Sequence, residues 1–355
     1  MIFSIIVPVC NAETFLRESV MSAVEQRTDD LPDEGKESFE IILVENGSKD
    51  KSAAICDELA DKYTNVRVIH KGRIGLYAAR QCGISKAMGD YILALDADDL
   101  LVPDALVRLY KALKGLRGSG SRVLPDFIIF DAAALEGDGR KLFDRPFEAG
   151  KVFSGEEKKV FFDRLCTDDS LNSMWTKCIS RKIAALDKPD LFINYGEDLY
   201  QTSLYLDRAE GVMYLDEVLY RYRVDAPSMS SVYSEVYLEN QKIAWSGLDE
   251  ASKKWEKGSF DEIISRRKSL TCTIAMTRLI YSDMGMKEKR HRLKKLLQDD
   301  FYRKYSSFPL PDWAPEEAVF VKDLQMKKDA EGALLRNAFK NSVKKNIKGM
   351  LKNGI

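Results

Sequence analysis

Short, almost continuously apolar runs recur through the first 135 residues: FSIIVPV (3–9), EIILVEN (40–46), VRVIHK (66–71), YILALD (91–96) and DFIIFDA (126–132). They are rich in β-branched residues and lack the polar alternation of a half-exposed strand, so they predict strands covered on both faces. Between them, residues 13–26, 51–63, 75–88 and 103–114 carry helical spacing. The βαβα succession predicts an α/β fold: a mostly parallel central sheet with helices on both faces. In such sheets ligands bind beyond the C-terminal ends of the strands. The residues there are Pro8-Val9-Cys10-Asn11, Glu45-Asn46-Gly47-Ser48-Lys49-Asp50, His70-Lys71-Gly72 running into Arg73-Ile74-Gly75, and the carboxylates Asp96, Asp98 and Asp99 of LALDADD.

After this region the pattern changes. Residues 115–150 are loop-rich with one strand inside, 151–232 resume mixed structure, and beyond about 235 the chain is helical in character, interrupted by FPLPDWAP at 308–315. A length of 355 residues exceeds what one core usually takes. The expected division is 1–115, 116–234 and a helical C-terminal region, 235–355. In the last stretch, LLRNAFKNSVKKNIKGMLKNGI, Leu335, Phe339, Val343, Ile347 and Leu351 form one helical stripe, beside Arg336, Lys340, Lys344, Lys345, Lys348 and Lys352 and no acid. Such a helix can lie on an anionic membrane surface or pack its stripe on the protein.

Charge is balanced, with 55 basic and 56 acidic residues, which excludes a nucleic-acid binder of the whole-chain basic kind. Six scattered cysteines without a CxxC pair suit reduced thiols in a cytoplasmic protein. With only two histidines, His70 and His291, a histidine triad or a His-rich metal site is disfavoured, and acid–base work falls to carboxylates. The apolar N-terminus lacks a basic leader and is too short to span a membrane. His70 and the cysteines are assigned to packing.

No GxGxxG follows the first strand and no GxxxxGK[ST] occurs, so a Rossmann dinucleotide site or a P-loop is disfavoured. Asp96 and Asp98 alternate as DxD and share a side in an extended backbone, with Asp99 turned away unless the chain bends there. Two such carboxylates suit Mg²⁺ or Mn²⁺ together with substrate phosphates; the alternative is a helix cap near Pro103 with the other acids solvated. Glu45 and Asn46 sit where a nucleobase edge or ribose could be met, while Ser48 and Asp50 read as helix caps. Lys71, Arg73 and Arg80 could meet phosphates or pair with surface acids, and Gly75 opens a helix whose N-terminus favours an anion.

Taken together, SIIVPVCNAETFLRESVMSAVEQ, EIILVENGSKD and GLYAARQCGISKAMGDYILALDADD resemble the family 2 glycosyltransferases in order, spacing and residue type. These are nucleotide-sugar-dependent enzymes of the GT-A fold. The resemblance covers about residues 1–113 and extends more loosely through NSMWTKCISRKI (172–183), NYGEDLY (194–200) and VLYRYRVDAPSMS (218–230). It implies a nucleotide-sugar half over 1–115 and an acceptor half over 116–234. It also implies that Pro8, Val9 and Asn11 line the base and ribose pocket, and that Asp96, Asp98 and Asp99 hold ribose and a metal, Asp98 foremost on the metal. Asp198 would be the catalytic base, with Glu197 beside it. The family's Asp-Asp-Gly-Ser reads Glu45-Asn46-Gly47-Ser48 here, which departs from the usual uracil contact.

Trp175 could stack on an acceptor sugar or belong to the core. Arg221 and Arg223, two apart on one strand face, could reach phosphates or pair at the surface. The expected function is an inverting transfer from a nucleotide diphosphate sugar, a UDP-sugar, to a glycan or lipid-linked acceptor in cell-surface polysaccharide synthesis. The expected location is cytoplasmic, on the inner face of the membrane where the tail engages it. The alternatives are a nucleotidyltransferase, or a non-catalytic sugar-nucleotide-binding protein.

Overall fold

The computed structural model describes residues 1–32, 38–118, 123–224, 233–255 and 260–352, with side chains in the last helix described through Asn341. It divides into two compact units, Met1–Ala226 with Ser246–Trp255, and Pro227–Trp245 with Glu256–Ile355. In the first unit the predicted alternation is present as β1 (Phe3–Val9), α1 (Leu16–Val24), β2 (Phe39–Asn46), α2 (Ser52–Lys62), β3 (Val66–Lys71), α3 (Leu76–Lys86) and β4 (Tyr91–Ala94). Then come β5 (Leu100–Leu101), α4 (Ala105–Gly118), β6 (Phe127–Ala134), β7 (Val152–Ser154), α5 (Lys159–Thr167), β8 (Lys177–Ser180), α6 (Arg181–Ala184), α7 (Glu197–Arg208) and β9 (Gly211–Tyr222).

The sheet runs β3-β2-β1-β4-β8-β6-β9-β5, with β7 on β9. Its first four strands are parallel, whereas β8 runs antiparallel to β4 and β6, and β5 and β7 run antiparallel to β9. Parallel pairing thus joins the first four strands and recurs between β6 and β9, with β8 running antiparallel between the two sets. Every residue of β1 and β2 is buried, as their uninterrupted apolar runs require. VRVIHK departs from the expectation: β3 is an edge strand, buried only at Val66 and exposed at His70 and Lys71.

Helix α3 lies against β1 and β2. A Cβ at Gly83 would come 2.5 Å from Ile6 Cγ2 and 3.1 Å from Val44 Cγ2. That close approach brings Arg80, on the same helix, beneath the strand ends.

The second unit contains α8 (Tyr237–Trp255) through Trp245, then α9 (Asp261–Tyr281), α10 (Met286–Gln298), α11 (Asp300–Tyr305), α12 (Glu316–Gln325) and α13 (Ala330–Lys352). Helix α9 is its axis and packs α10, α11, α12 and α13 around Cys272, Met276, Leu279 and Leu334. Asp299 caps α11, accepting from Phe301 N at 3.0 Å and Tyr302 N at 3.1 Å. No helix among the described residues is long and apolar enough to cross a membrane.

Gly83→Ala tests the close packing of α3. Alanine improves helix propensity by about 1 kcal/mol, but overpacking a core costs ~1–3 kcal/mol, so the clash should win. The expected result is a net loss of stability in urea denaturation; a variant as stable as wild type would contradict this packing.

Candidate active site

The crevice forms where the strand order reverses. From β1 the chain adds β2 and β3 on one side and then β4 on the other, so the ends of β1 and β4 part at a topological switch point. Ile6 still faces β4, its carbonyl accepting from Leu95 N at 3.0 Å. Pro8 presents the same edge two residues later, after β4 has ended, so its missing N–H forfeits no bond to β4. Pro8 and Val9 are buried beneath this opening.

Asn11 adopts φ +52°, and the turn it starts is latched to the loop after β2. Asn11 N donates to Ser48 Oγ (3.1 Å), Ala12 N to Ser52 Oγ (2.8 Å) and Glu13 N to Asp50 Oδ2 (3.0 Å), while Asn11 Oδ1 accepts from Lys49 N (2.8 Å). The amides after β1 are thus satisfied internally and form no phosphate cradle. Glu45 and Asn46 are buried: Glu45 Oε1 accepts from Ser48 N at 2.6 Å, and Asn46 Oδ1 from Ile74 N at 2.8 Å. His70 is not a packing residue. Half-exposed, it pairs through Nε2 with Asp57 at 2.7 Å, and this bond is the chief influence raising its pKa.

Two expectations about anion binding change. Gly75 (φ +92°) does open α3, but Asn194 Oδ1 accepts from Leu76 N (2.9 Å) and Ile193 O from Tyr77 N (3.1 Å), so that helix end is capped by residues 193–194. A side chain at Gly75 would meet Phe192 Cδ2 at 3.2 Å. Arg80 is buried and engaged with acids, so it does not project to a ligand. Lys71 and Arg73 are exposed and have no ion-pair partner among the described residues, which leaves them free to meet an anion.

The three carboxylates of LALDADD separate in role. The backbone turns, Asp99 N donating to Asp96 O at 3.1 Å, so the strand alternation expected of DxD does not apply. Asp99 is buried: Tyr220 Oη donates to its Oδ2 at 2.8 Å and Arg223 N to its Oδ1 at 2.7 Å. It anchors the turn to β9, which argues against the metal role expected of it. Tyr220 Oη also accepts from Asp96 N at 3.1 Å, a strut that no motif flagged. Arg223 is spent on Asp98 O (2.8 Å) and Glu18 (2.6 Å) and lies over the Phe15 ring; the pairing alternative describes it, not the phosphate one. Trp175 stacks on Tyr220 and Tyr222 within the core, supporting packing over sugar contact.

Asp96 and Asp98 remain partly open to the crevice, Asp96 with 29% of its side chain exposed. Asp98's carboxylate has no ion-pair partner among the described residues. From a later segment, the first turn of α7 brings Glu197 and Asp198, and Arg80 Nη1 donates to Asp198 Oδ1 at 2.8 Å. Gln201, unmarked in the sequence reading, accepts from the same nitrogen at 2.7 Å. Its only cue was its place one turn beyond Asp198.

Burial pushes Asp96 up to about 6, against the lowering pull of Arg80. Asp99 is raised to about 8 by burial and then by the charge of Asp96, and Glu197 to about 8 by burial and then by Asp198. An acid-rich crevice of this kind calls for a cation. Two open carboxylates suit a hard divalent ion that keeps water or substrate oxygens in its remaining positions; no closed cluster of three ligating side chains occurs among the described residues. Asp96 and Asp98 are the residues that could hold it. A cavity of about 740 Å³, lined by residues including Glu18, Leu101, Asp104 and Arg221, lies nearby, and Asp96, Asp98, Glu197 and Asp198 are not among its lining residues.

The switch-point crevice, its carboxylate turn and the acid-bearing helix define a GT-A glycosyltransferase fold. Residues 4–122 match the family model described as Glycosyl transferase family 2 and constitute a domain of that family. Relatives include glycosyltransferase GlyA of Streptococcus pneumoniae, 27% identical over 243 residues that cover 66% of this chain and 32% of GlyA. The poly(ribitol-phosphate) beta-glucosyltransferase of Bacillus spizizenii is 37% identical over 131 residues, 33% of this chain and 20% of that protein. The chain spans less than two thirds of the length of the first of the curated relatives it matches. Among solved structures, S. aureus TarS 1–349 with UDP-GlcNAc superposes at a TM-score of 0.62 and 19% identity, covering 100% of this chain and 92% of that one.

The raised Asp99 yields a pH prediction. A carboxyl with a raised folded pKa stabilises most below its ordinary range, about pH 4, and loses that contribution as the pH climbs through its folded value. In chelator-containing buffer, wild type should lose stability relative to Asp99→Asn between about pH 4 and about 8. A constant difference across that window, followed by denaturant melts, would refute the assignment.

Proposed function

We propose that the protein is an inverting glycosyltransferase that moves a sugar from a nucleoside diphosphate donor, a UDP-sugar, to a glycan or lipid-linked acceptor in cell-surface polysaccharide synthesis. The carrying observation is that one buried guanidinium, Arg80, brings Asp198 from a different segment to Asp96 of the carboxylate turn that also bears Asp98. Inversion needs one carboxylate to take the acceptor hydroxyl's proton as that oxygen attacks the anomeric carbon. Asp198 fills that role, and burial and then the charge of Asp198 raise the pKa of Glu197 beside it, which disfavours a second negative charge there. A divalent cation at Asp96 and Asp98 would stabilise the departing diphosphate. We assign Lys71 and Arg73, both exposed after β3, to adding positive charge toward the diphosphate.

The capped amides of residues 11–13 disfavour a nucleotidyltransferase, which would need a phosphate-cradling loop there. The donor class draws support from TarS, solved with UDP-GlcNAc. The polysaccharide setting draws support from relatives named for teichoic acid and poly(ribitol-phosphate) chemistry. Donor hydrolysis or transfer should require Mg²⁺ or Mn²⁺. Asp198→Ala should reduce turnover on the order of 10²–10⁴-fold, and Asp98→Ala should weaken activation by the cation. Metal-independent turnover that survives both substitutions would sink the mechanism, and nucleotide binding without turnover on any acceptor would favour a non-catalytic protein.

We further infer a cytoplasmic location with the C-terminal helix on the membrane's inner face. Along the predicted stripe Leu335 is buried but Phe339 is 58% exposed, so the stripe surfaces there. Val343, Ile347, Leu351 and the lysines Lys344, Lys345, Lys348 and Lys352 lie outside the described side chains, as does the segment 225–230. Each lysine near an anionic surface contributes ~1 kcal/mol, attenuated by salt. The full chain should therefore sediment with phosphatidylglycerol vesicles but not phosphatidylcholine ones, and lose this on removal of 342–355; equal binding by the truncated chain would rule the tail out.

A further inference from the structure

Arg80 heads the largest fully buried side chains among the described residues, with 1% of the residue exposed. A buried guanidinium is tolerated only where its charge and donors are matched. Here the charge is matched: Nη1 donates to Asp198 Oδ1 at 2.8 Å and to Gln201 Oε1 at 2.7 Å, and Nη2 faces Asp96 Oδ1 at 3.5 Å, while Nε has no hydrogen-bond partner among the described residues. Asp198 and Gln201 lie three apart on α7 and so share a face. Asp96 and Asp198 remain 29% and 24% exposed, so each carboxylate keeps one edge toward the crevice while the other meets the buried cation.

We propose that Arg80 is a positioning residue: by gripping Asp198 from below and facing Asp96 with its other nitrogen, it holds the base and the donor anchor in one geometry. This rests on the reading of Asp198 as base and Asp96 as part of the donor site. Arg80 is buried, so its influence on the reaction runs through the carboxylates it holds. Its planar fork does what a lysine cannot, because an ammonium is a point charge that carries the sign without the spacing between Nη1 and Nη2. A misplacement of the base of about 1 Å can cost on the order of 10²-fold in rate.

The test is a cycle of Arg80→Lys, Asp198→Asn and the double variant in the full chain. Turnover of UDP-sugars with Mn²⁺ is measured alongside UDP·Mn²⁺ affinity by calorimetry and thermal stability. Arg80→Lys should lower kcat on the order of 10²-fold with UDP affinity within about threefold of wild type, and the double variant should be no slower than Asp198→Asn alone, as for residues acting as a unit. Losses that multiply in the double variant, a kcat for Arg80→Lys near wild type, or a parallel loss of UDP affinity would each overturn the proposal. Should Arg80→Lys fold poorly, Gln201→Met removes one acceptor without changing charge. It should give a smaller kcat loss, again absent in the Asp198→Asn background, and multiplicative loss there would be equally fatal. A wild-type chain without turnover, or full turnover in Asp198→Asn, would instead fail the functional reading on which the proposal stands.

Discussion

Two carboxylates from segments a hundred residues apart share one buried guanidinium, and much of the first unit is arranged around that contact. Asp96 follows a strand that is buried throughout, and Asp198 lies in the first turn of a helix that packs on α3 and α6. Without a counter-charge these acids and Glu197 would repel one another in a poorly solvated space, and stripping one partner from such a buried pair costs about 3–5 kcal/mol. Helix α3 supplies the cation, and it can do so because Gly83 lets it approach β1 and β2 closely. The capped start of α3 at residues 193–194 fixes the same helix against the segment that leads into α7.

A second theme is the division between side chains used for construction and those left open. The turn after β1 and the loop after β2 consume their own polar groups in mutual hydrogen bonds, as do Asp99, Tyr220 and Arg223 behind the carboxylate turn. Among the described residues, Asp98 and the outward edges of Asp96 and Asp198 stay partly open, and Lys71 and Arg73 are exposed after β3. That set is suited to a charged, cation-bridged ligand rather than an apolar one, and the chemistry proposed for the site follows from it.

Much of this was legible in the chain. Uninterrupted apolar runs located β1, β2 and β4, because strands covered on both faces cannot carry polar residues at alternate positions. The acids at the end of YILALD stood out by their place at a strand end, whereas Glu197-Asp198 was singled out only through the family resemblance. Less legible was the use of each polar group. Nothing local distinguishes Arg80, which is buried, from Arg73, which is exposed, or Asp99, which braces a strand, from Asp98, which stays unpaired. VRVIHK looked like a buried strand although it forms an edge, since a sheet's limits depend on what pairs beside it.

By itself the sequence determined the periodicities, hence the order of strands and helices and the set of charged residues gathered at the strand ends. These are short-range properties, governed by neighbours within a turn or a strand. Only the tertiary structure decided which charges neutralise one another and which stay free, because those partners lie far apart in the chain: 118 residues between Arg80 and Asp198, 124 between Arg223 and Asp99. Coulomb attraction and desolvation act through space, and a buried cation finds its acids only when the sheet has placed them.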